Sequence, residues 1–275
     1  MQYLTGRGYK MDRVMTADQI DFYKTNGFIQ IDDLLSNEEL DELRQYVDES
    51  MKEHNLSALD SPDRGAYYRV LNQKVNSWRN HAGMAKYSFH PLFSSIALQL
   101  TEASGIRFFH DHILFKMPGD SKPTPWHQDF PYWPMNEPGA MSIWIALDDV
   151  NEKNGCMMFI PQSHKAGKFK PINLAEPEDI FQFTRNLEVN RNTPVICRMK
   201  AGSCTFHDGL TFHYAHANHT NKPRRVFAII YYPENTTYNG KKHVVTDEIE
   251  LTVNQPIQGE WFPLLAKKRS LPAGN

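Results

Sequence analysis

The sequence predicts a mainly β protein with flanking helices, a jelly roll whose N-terminal helices pack on one sheet. Three observations lead there. Capped helical patterns are confined to the first hundred or so residues of the chain. From Ile106 onward, short apolar runs alternate with Pro-, Gly- and Asn-containing breaks, which is the signature of closely spaced strands. A hydrophobic fraction of 40% with 12% aromatic residues is enough to fill a core and excludes a disordered chain.

Residues 1–16 read as a loose arm. Residues 16–25 predict a short helix in which Ile20, Phe22 and Tyr23 are available for packing, stopped at Asn26-Gly27. Residues 28–31 predict a strand. Ser36 and Glu39 stand at capping-box spacing and open a helix reaching about Met51, with Leu40, Leu43, Tyr46 and Val47 on one apolar stripe. Residues 54–90 carry the weakest pattern; Arg64, Tyr67, Tyr68 and Arg69 fit either a pocket or surface loops. Residues 91–104 predict a helix with Pro91 in its first turn.

Residues 107–117 alternate imperfectly, up to the break at Pro118-Gly119-Asp120. Residues 141–150 predict an apolar strand, 151–155 a turn, and 156–160 the returning strand of a hairpin, with Gly155 where positive φ is tolerated. Residues 165–193 read as an insertion with some helix near 178–183. Three further strands are expected at 195–199, 202–207 and 225–232. No repeat or low-complexity linker divides the chain. Residues 17–275 are therefore expected to form one domain: a helical cover (17–104), a β-rich core (105–233) and a C-terminal extension (234–275).

A formal net charge of −2 gives no reason to expect nucleic acid or an anionic membrane as partner. Cys156, Cys197 and Cys204 are odd in number and lack a C-x-x-C pair, so they read as reduced thiols. The first fifteen residues lack the apolar stretch of a secretory signal, and the longest apolar run (226–232) is strand-sized. A soluble, cytoplasmic protein with a small-molecule partner is expected; oligomeric state is left open.

The chemistry centres on Trp126-His127-Gln128-Asp129, the only His-x-Asp triplet in the sequence. On an extended strand, side chains two positions apart point the same way, so His127 and Asp129 would offer a nitrogen and an oxygen to one metal ion. A third ligand would come from the stretch holding His207, His213, His216 and His219, with His213 foremost. Two His and one carboxylate on one face of a metal, with open positions opposite, is the arrangement of non-haem Fe(II) oxygenases.

The segment from Trp126 to Trp133, residues 142–150, residues 159–164 and the segment from His213 to Arg225 together resemble the phytanoyl-CoA dioxygenase (PhyH) family, Fe(II)/2-oxoglutarate-dependent oxygenases. The motifs fall in the family's order, over about residues 17–233. The resemblance implies a cupin-like double-stranded β-helix and iron held by His127, Asp129 and His213. The family places an Asn five residues and an Arg eleven residues after the distal His; His213 alone satisfies both, with Asn218 and Arg224. Arg224 would then bind the far carboxylate of 2-oxoglutarate through its planar fork, and Arg225 would face the other side of the strand. Trp144 resembles a cosubstrate-pocket residue, and Phe130, Tyr132 and Trp133 are substrate-site candidates, with Phe181 also suggesting a ring-bearing substrate. His110, His112 and His164 read as structural.

The implied reaction is oxidation, by default hydroxylation, of an unactivated C–H bond, with 2-oxoglutarate and O2 converted to succinate and CO2. Retention of Asp129 favours this over halogenation, for which the family's members replace the carboxylate. The absence of a basic cluster disfavours an acyl-CoA substrate. The sequence departs from the family where a Ser two residues after the distal His is replaced by Ala215. A non-catalytic metal-binding β-barrel, and a cupin-type metalloenzyme that does not use 2-oxoglutarate, are the alternative readings.

Overall fold

Thr16 and Gln19 close a capping box, the Thr16 hydroxyl accepting from the Gln19 N–H and the Gln19 side chain from the Thr16 N–H. It opens α1 (Ala17–Asn26), which Gly27 stops in a left-handed conformation (φ +82°). This is the computed structural model of the chain, which describes residues 13–52, 72–118, 122–174 and 193–268. Arg64, Tyr67, Tyr68, Arg69, Phe181 and the helix expected near 178–183 lie outside the described residues. Residues 13–15 are held rather than loose, since the Met15 N–H donates to Gln99 Oε1 at 2.8 Å and Met15 is buried.

After β1 (Phe28–Ile31), the Ser36–Glu39 capping box opens α2 (Asn37–Lys52), and its predicted stripe of Leu40, Leu43 and Val47 is buried. Next come β2 (Asn72–Val75), α3 (Ala82–Ser88) and α4 (Pro91–Thr101). The barrel strands are β3 (Gly105–Lys116), β4 (Thr124–His127), β5 (Met141–Ala146), β6 (Met157–Phe159), β7 (Val195–Cys197), β8 (Cys204–Asp208), β9 (His213–Ala215) and β10 (Arg224–Pro233). A last strand, β11 (Leu264–Lys267), follows.

Among the described residues, the larger sheet runs β1-β8-β5-β10-β3, with β2 and β11 both paired to the far edge of β3. The smaller sheet runs β4-β9-β6-β7, and all pairings in both sheets are antiparallel. The hairpin expected across residues 151–155 does not form. β5 pairs with β8 and β10, whereas β6 pairs with β7 and β9 in the other sheet. The turn instead carries the chain between sheets, because each face of β5 is already packed and both its edges are taken by long-range partners. Gly155 does sit at positive φ (+91°), and a Cβ there would lie 2.5 Å from the His216 carbonyl oxygen.

Period-two alternation separates the two faces of the larger sheet. Ile143, Ile145, Phe227 and Ile229 join Leu43, Val47, Phe93 and Ile96 beneath the helices. Trp144, Ala146, Val226 and Ala228 turn the other way, toward Met157 and Phe159 of the smaller sheet. Asp111 fixes the phase of β3. Its buried carboxylate accepts from the Ser77 N–H and hydroxyl, the Trp78 N–H and the Ser88 hydroxyl at 2.6–3.0 Å. That anchors the helical cover to β3 and turns His110 and His112 to the interior.

Candidate metal centre

His127 ends β4, and its Cα partner across the ladder is His213, which begins β9. Each ring donates Nδ1–H to a backbone carbonyl two residues before it: Pro125 at 2.8 Å for His127 and Thr211 at 2.9 Å for His213. A carbonyl can only accept, so the proton resides on Nδ1 and the Nε2 lone pairs point elsewhere. They point at Asp129 Oδ1, 3.4 Å from His127 Nε2 and 3.5 Å from His213 Nε2.

Asp129 reaches this position differently from the sequence expectation. β4 stops at His127, and Asp129 has helical backbone angles (φ −78°, ψ −42°) leading into a 3₁₀ turn over Phe130–Tyr132. The His and Asp therefore converge through a bend, not through strand alternation. Gln128 holds the bend in place: its amide nitrogen donates to the carbonyls of Gly167 and Leu210, and its oxygen accepts from the Phe169 N–H. The Phe130 N–H adds a bond to the Gly209 carbonyl at 2.8 Å.

The second carboxylate oxygen of Asp129 is held by its own neighbours. Ser142 Oγ donates to Oδ2 at 3.0 Å, and His207 Nε2 lies 3.5 Å from it. Oδ1 is left facing the two imidazoles. Burial acts to raise the Asp129 carboxyl pKa, but with no cation between them the surrounding imidazoles in their protonated form, His213 first, hold it well below the usual carboxylate range. Burial, with His213 adding to it, lowers the pKa of His127. His207, one of four histidines in its stretch, is thus buried against the site and not exposed.

The ligand atoms of His127, Asp129 and His213 all lie within 4.8 Å of one another, the one such cluster among the described residues. Three lone-pair donors repel one another unless a cation lies between them. Adjacent ligands of an octahedral ion with bonds of about 2.1 Å stand about 3 Å apart, so only small movements would close the set on a metal.

Arg224 begins β10 and is buried, with Nε and Nη1 finding no hydrogen-bond partner. Burial pushes its pKa down to about 10, against the opposing pull of Asp148. Its guanidinium carbon lies 5.3 Å from the Trp144 ring centroid. Arg225 points to the opposite face and pairs with Asp148 and Asp48, as alternation requires. Nearby, the buried Lys116 donates to the carbonyls of Lys122, Ala215 and His216; burial and Arg224 push its pKa down to about 6.

A cavity of about 380 Å³ is lined by all three triad residues, Arg224 and Trp144. Tyr132 and Trp133 also line it, and the Tyr132 hydroxyl donates to the Ile172 carbonyl at 2.7 Å. Phe130 does not line it. Its ring packs in the cluster with Trp133, Met135 and Ala140. His110 and His112, expected to be structural, do line the cavity, together with Gln73, His243 and Thr124, which the sequence did not single out. Thr124 is the Cα partner of Ala215 across β4 and β9. His164 is remote, its Nε2 3.1 Å from the Lys24 carbonyl.

Residues 23–226 match the sequence model of the family described as phytanoyl-CoA dioxygenase (PhyH). A phytanoyl-CoA dioxygenase of Arabidopsis thaliana is 24% identical over 249 residues, 78% of this chain and 88% of its own length. Among solved structures, the non-haem α-ketoglutarate-dependent carbocyclase SnoK from nogalamycin biosynthesis superposes with a TM-score of 0.77 at 27% identity, covering 92% of this chain and 97% of that one. The epimerase SnoN, in complex with Fe3+, α-ketoglutarate and nogalamycin RO, gives 0.71 at 25% identity, covering 90% and 98%. No helix of the described residues is long and apolar enough to cross a membrane.

Proposed function

The chain belongs to the phytanoyl-CoA dioxygenase family of iron- and 2-oxoglutarate-dependent oxygenases, and from that premise we propose that His127, Asp129 and His213 hold its iron, that Arg224 and Trp144 bind 2-oxoglutarate, and that the enzyme hydroxylates a C–H bond of a small organic molecule held in the same cavity. The observation that carries this reading is the buried guanidinium of Arg224, unpartnered at two nitrogens, in one cavity with three converging metal-ligand atoms. A buried cation without a partner is costly unless an anion arrives to pair with it. A dicarboxylate that meets the metal with one end and Arg224 with the other answers both demands.

Iron, when bound with 2-oxoglutarate and O2, supplies the oxidant for the C–H bond, the cosubstrate leaving as succinate and CO2. The chain's own residues do the positioning. The Pro125 and Thr211 carbonyls fix the His127 and His213 tautomers, and Ser142 with His207 orients the Asp129 carboxylate. Arg224 makes charge-assisted hydrogen bonds to the distal carboxylate while Trp144 bounds that end of the cavity. Tyr132 and Trp133 wall the cavity beside the triad and limit water there.

The single-domain reading is supported by the sheet itself, since β1 from the helical cover and β11 from the C-terminal extension both add strands to it. The test of function is an anaerobic titration of Fe(II)-loaded protein with 2-oxoglutarate, read by the visible metal-to-ligand charge-transfer band. A band that weakens in Arg224→Ala and is lost in His213→Ala is expected. Its absence in folded, iron-loaded protein would overturn the reading in favour of cupin chemistry without 2-oxoglutarate.

A further inference from the structure

We propose that Gln73, His110, His112 and His243 form a hydrogen-bonding subsite for the substrate's oxygens, and that the substrate is an uncharged, hydroxyl- and carbonyl-bearing molecule. This rests on the triad being the iron centre, and it names what faces that centre.

The triad histidines come from the smaller sheet, while His110 and His112 come from the inner face of β3 in the larger one. All four residues line the cavity. The ring centroids of His110 and His112 are 4.3 Å apart, and those of His110 and His243 are 5.7 Å apart. Gln73 is 3% exposed, yet neither its amide nitrogen nor its oxygen has a hydrogen-bond partner in the protein. His110 is 1% exposed, and its Nδ1 is likewise unpartnered. Buried polar atoms are nearly always hydrogen-bonded, so a group of orphans along one cavity wall points to something that enters and pairs with them.

The chemistry of that wall selects the occupant. Burial pushes the pKa of His112 and His243 down to about 4 and holds His110 well below the usual value, so the three rings are neutral around pH 7. A neutral imidazole has one donor and one acceptor, and the Gln73 amide has both kinds as well; in His243 the acceptor Nδ1 is already taken by the Val245 N–H at 3.2 Å, which leaves its Nε2–H donor for the cavity. Hydroxyl groups satisfy such a mixed surface, and carbonyls use its donors. A carboxylate or phosphate would bring a charge that these neutral rings and the Gln73 amide do not offset, whereas a hydroxyl can also donate to the ring lone pairs. The histidine end of this wall lies far from the buried cation of the cavity: His110 and His112 pair with Ile230 and Ala228, six and four residues along β10 from Arg224, or about 20 and 14 Å at the usual strand rise, while Gln73, across from Leu114, stands nearer to it. Lys241 and Lys242 also border the cavity but are exposed, and Lys241 Nζ donates to the Pro131 carbonyl at 2.6 Å. Leu114 and Ile230 beside the polar group supply apolar surface for a ring or chain.

Three two-ring probes test this by calorimetry on Fe(II)- and 2-oxoglutarate-loaded protein without oxygen: 6-hydroxy-1-tetralone, tetralin and 1,2,3,4-tetrahydro-2-naphthoate. The hydroxyketone is expected to bind at least about tenfold more tightly than the acid. Gln73→Leu and His112→Phe should each weaken the hydroxyketone about tenfold while leaving tetralin and 2-oxoglutarate binding unchanged. Retained 2-oxoglutarate binding shows that a variant is folded, and Gln73→Glu, which keeps size and polarity, should lower the acid's affinity further. Preference for the acid, no hydroxyketone binding at millimolar concentration, or indifference of the hydroxyketone to both variants overturns the proposal while the cosubstrate titration still stands. If the wild type fails to bind 2-oxoglutarate, the underlying reading falls and this one falls with it.

Discussion

His127 and His213 face each other as register partners of β4 and β9, ring centroids 4.0 Å apart, with both Nε2 atoms within 3.5 Å of Asp129 Oδ1. Since each ring's Nδ1 is committed to a backbone carbonyl, neither can turn away from the metal position. His127→Ala or His213→Ala is expected to weaken Fe(II) binding by more than about 100-fold, and Ser142→Ala, which frees one Asp129 oxygen, by about tenfold. Competition against a chromophoric chelator measures both.

Arg224 predicts a trade between stability and binding. Arg224→Met removes a buried cation that lacks partners, so the protein without 2-oxoglutarate is expected to melt at a higher temperature than the wild type. The same variant should lose the rise in Tm that saturating 2-oxoglutarate gives the wild type. Its affinity should fall by about 10- to 100-fold, the worth of a charged hydrogen-bonded pair. Melting curves with and without cosubstrate give the first two quantities, and calorimetry the third.

Thr124 stands across the ladder from Ala215, at the position where the family resemblance leads one to expect a serine hydroxyl. Both line the cavity. If Thr124 supplies the missing donor, Thr124→Val weakens 2-oxoglutarate binding about fivefold, the worth of one neutral hydrogen bond. Adding Ala215→Ser to Thr124→Val should then restore it. No loss in the single variant would show that the hydroxyl is not needed.

His90 is 1% exposed at the N-terminus of α4, where its Nδ1 accepts from the Leu92 N–H at 3.3 Å. Burial, and then Lys86, pushes its pKa down to about 4. The depressed value means the unfolded chain binds the proton first. The stability contribution is therefore complete above about pH 6.5 and is lost as pH falls from there to 4, amounting to about 3 kcal/mol. His90→Asn retains a capping side chain without the titration, so its Tm should fall less steeply between pH 6.5 and pH 4.

Gly155→Ala should destabilise the fold by about 1–3 kcal/mol, because positive φ is strained for a side chain and the added Cβ meets the His216 carbonyl. Urea unfolding checks it; a change within about 0.5 kcal/mol would mean the turn can relax.

Features decided within a few residues are largely legible in the sequence, and several of those decided by distant partners are not. The stop of α1 at Gly27, the Ser36–Glu39 box and the stripe of α2 are decided within a few residues, and each is present. The convergence of His213 with His127 and Asp129 was legible because the spacing of His213 to Asn218 and Arg224 is carried by one short segment. The partner of residues 156–160 was not, since edges of β5 free in the sequence are occupied by β8 and β10 from far along the chain. Alternation showed that His110 and His112 share a face, but Asp111, with donors from Ser77 and Ser88, decides which face looks inward. Gln73 and His243 carry no motif; only the folded sheet and the segment after β10 bring them to the cavity.

β10 works as a ruler laid along the cavity. Arg224 stands at one end and Ile230 at the other, with Val226 and Ala228 as the graduations between them, all on one face. Side-chain exchange alters what is read at a mark, whereas backbone length alone decides how far apart the marks stand. A two-residue insertion after Arg224 would lengthen the scale by about 7 Å and keep every side chain on its face, while a one-residue insertion would invert all those beyond it. The distance between the Arg224 end of the cavity and its Ile230 end is thus a discrete quantity, counted in pairs of residues.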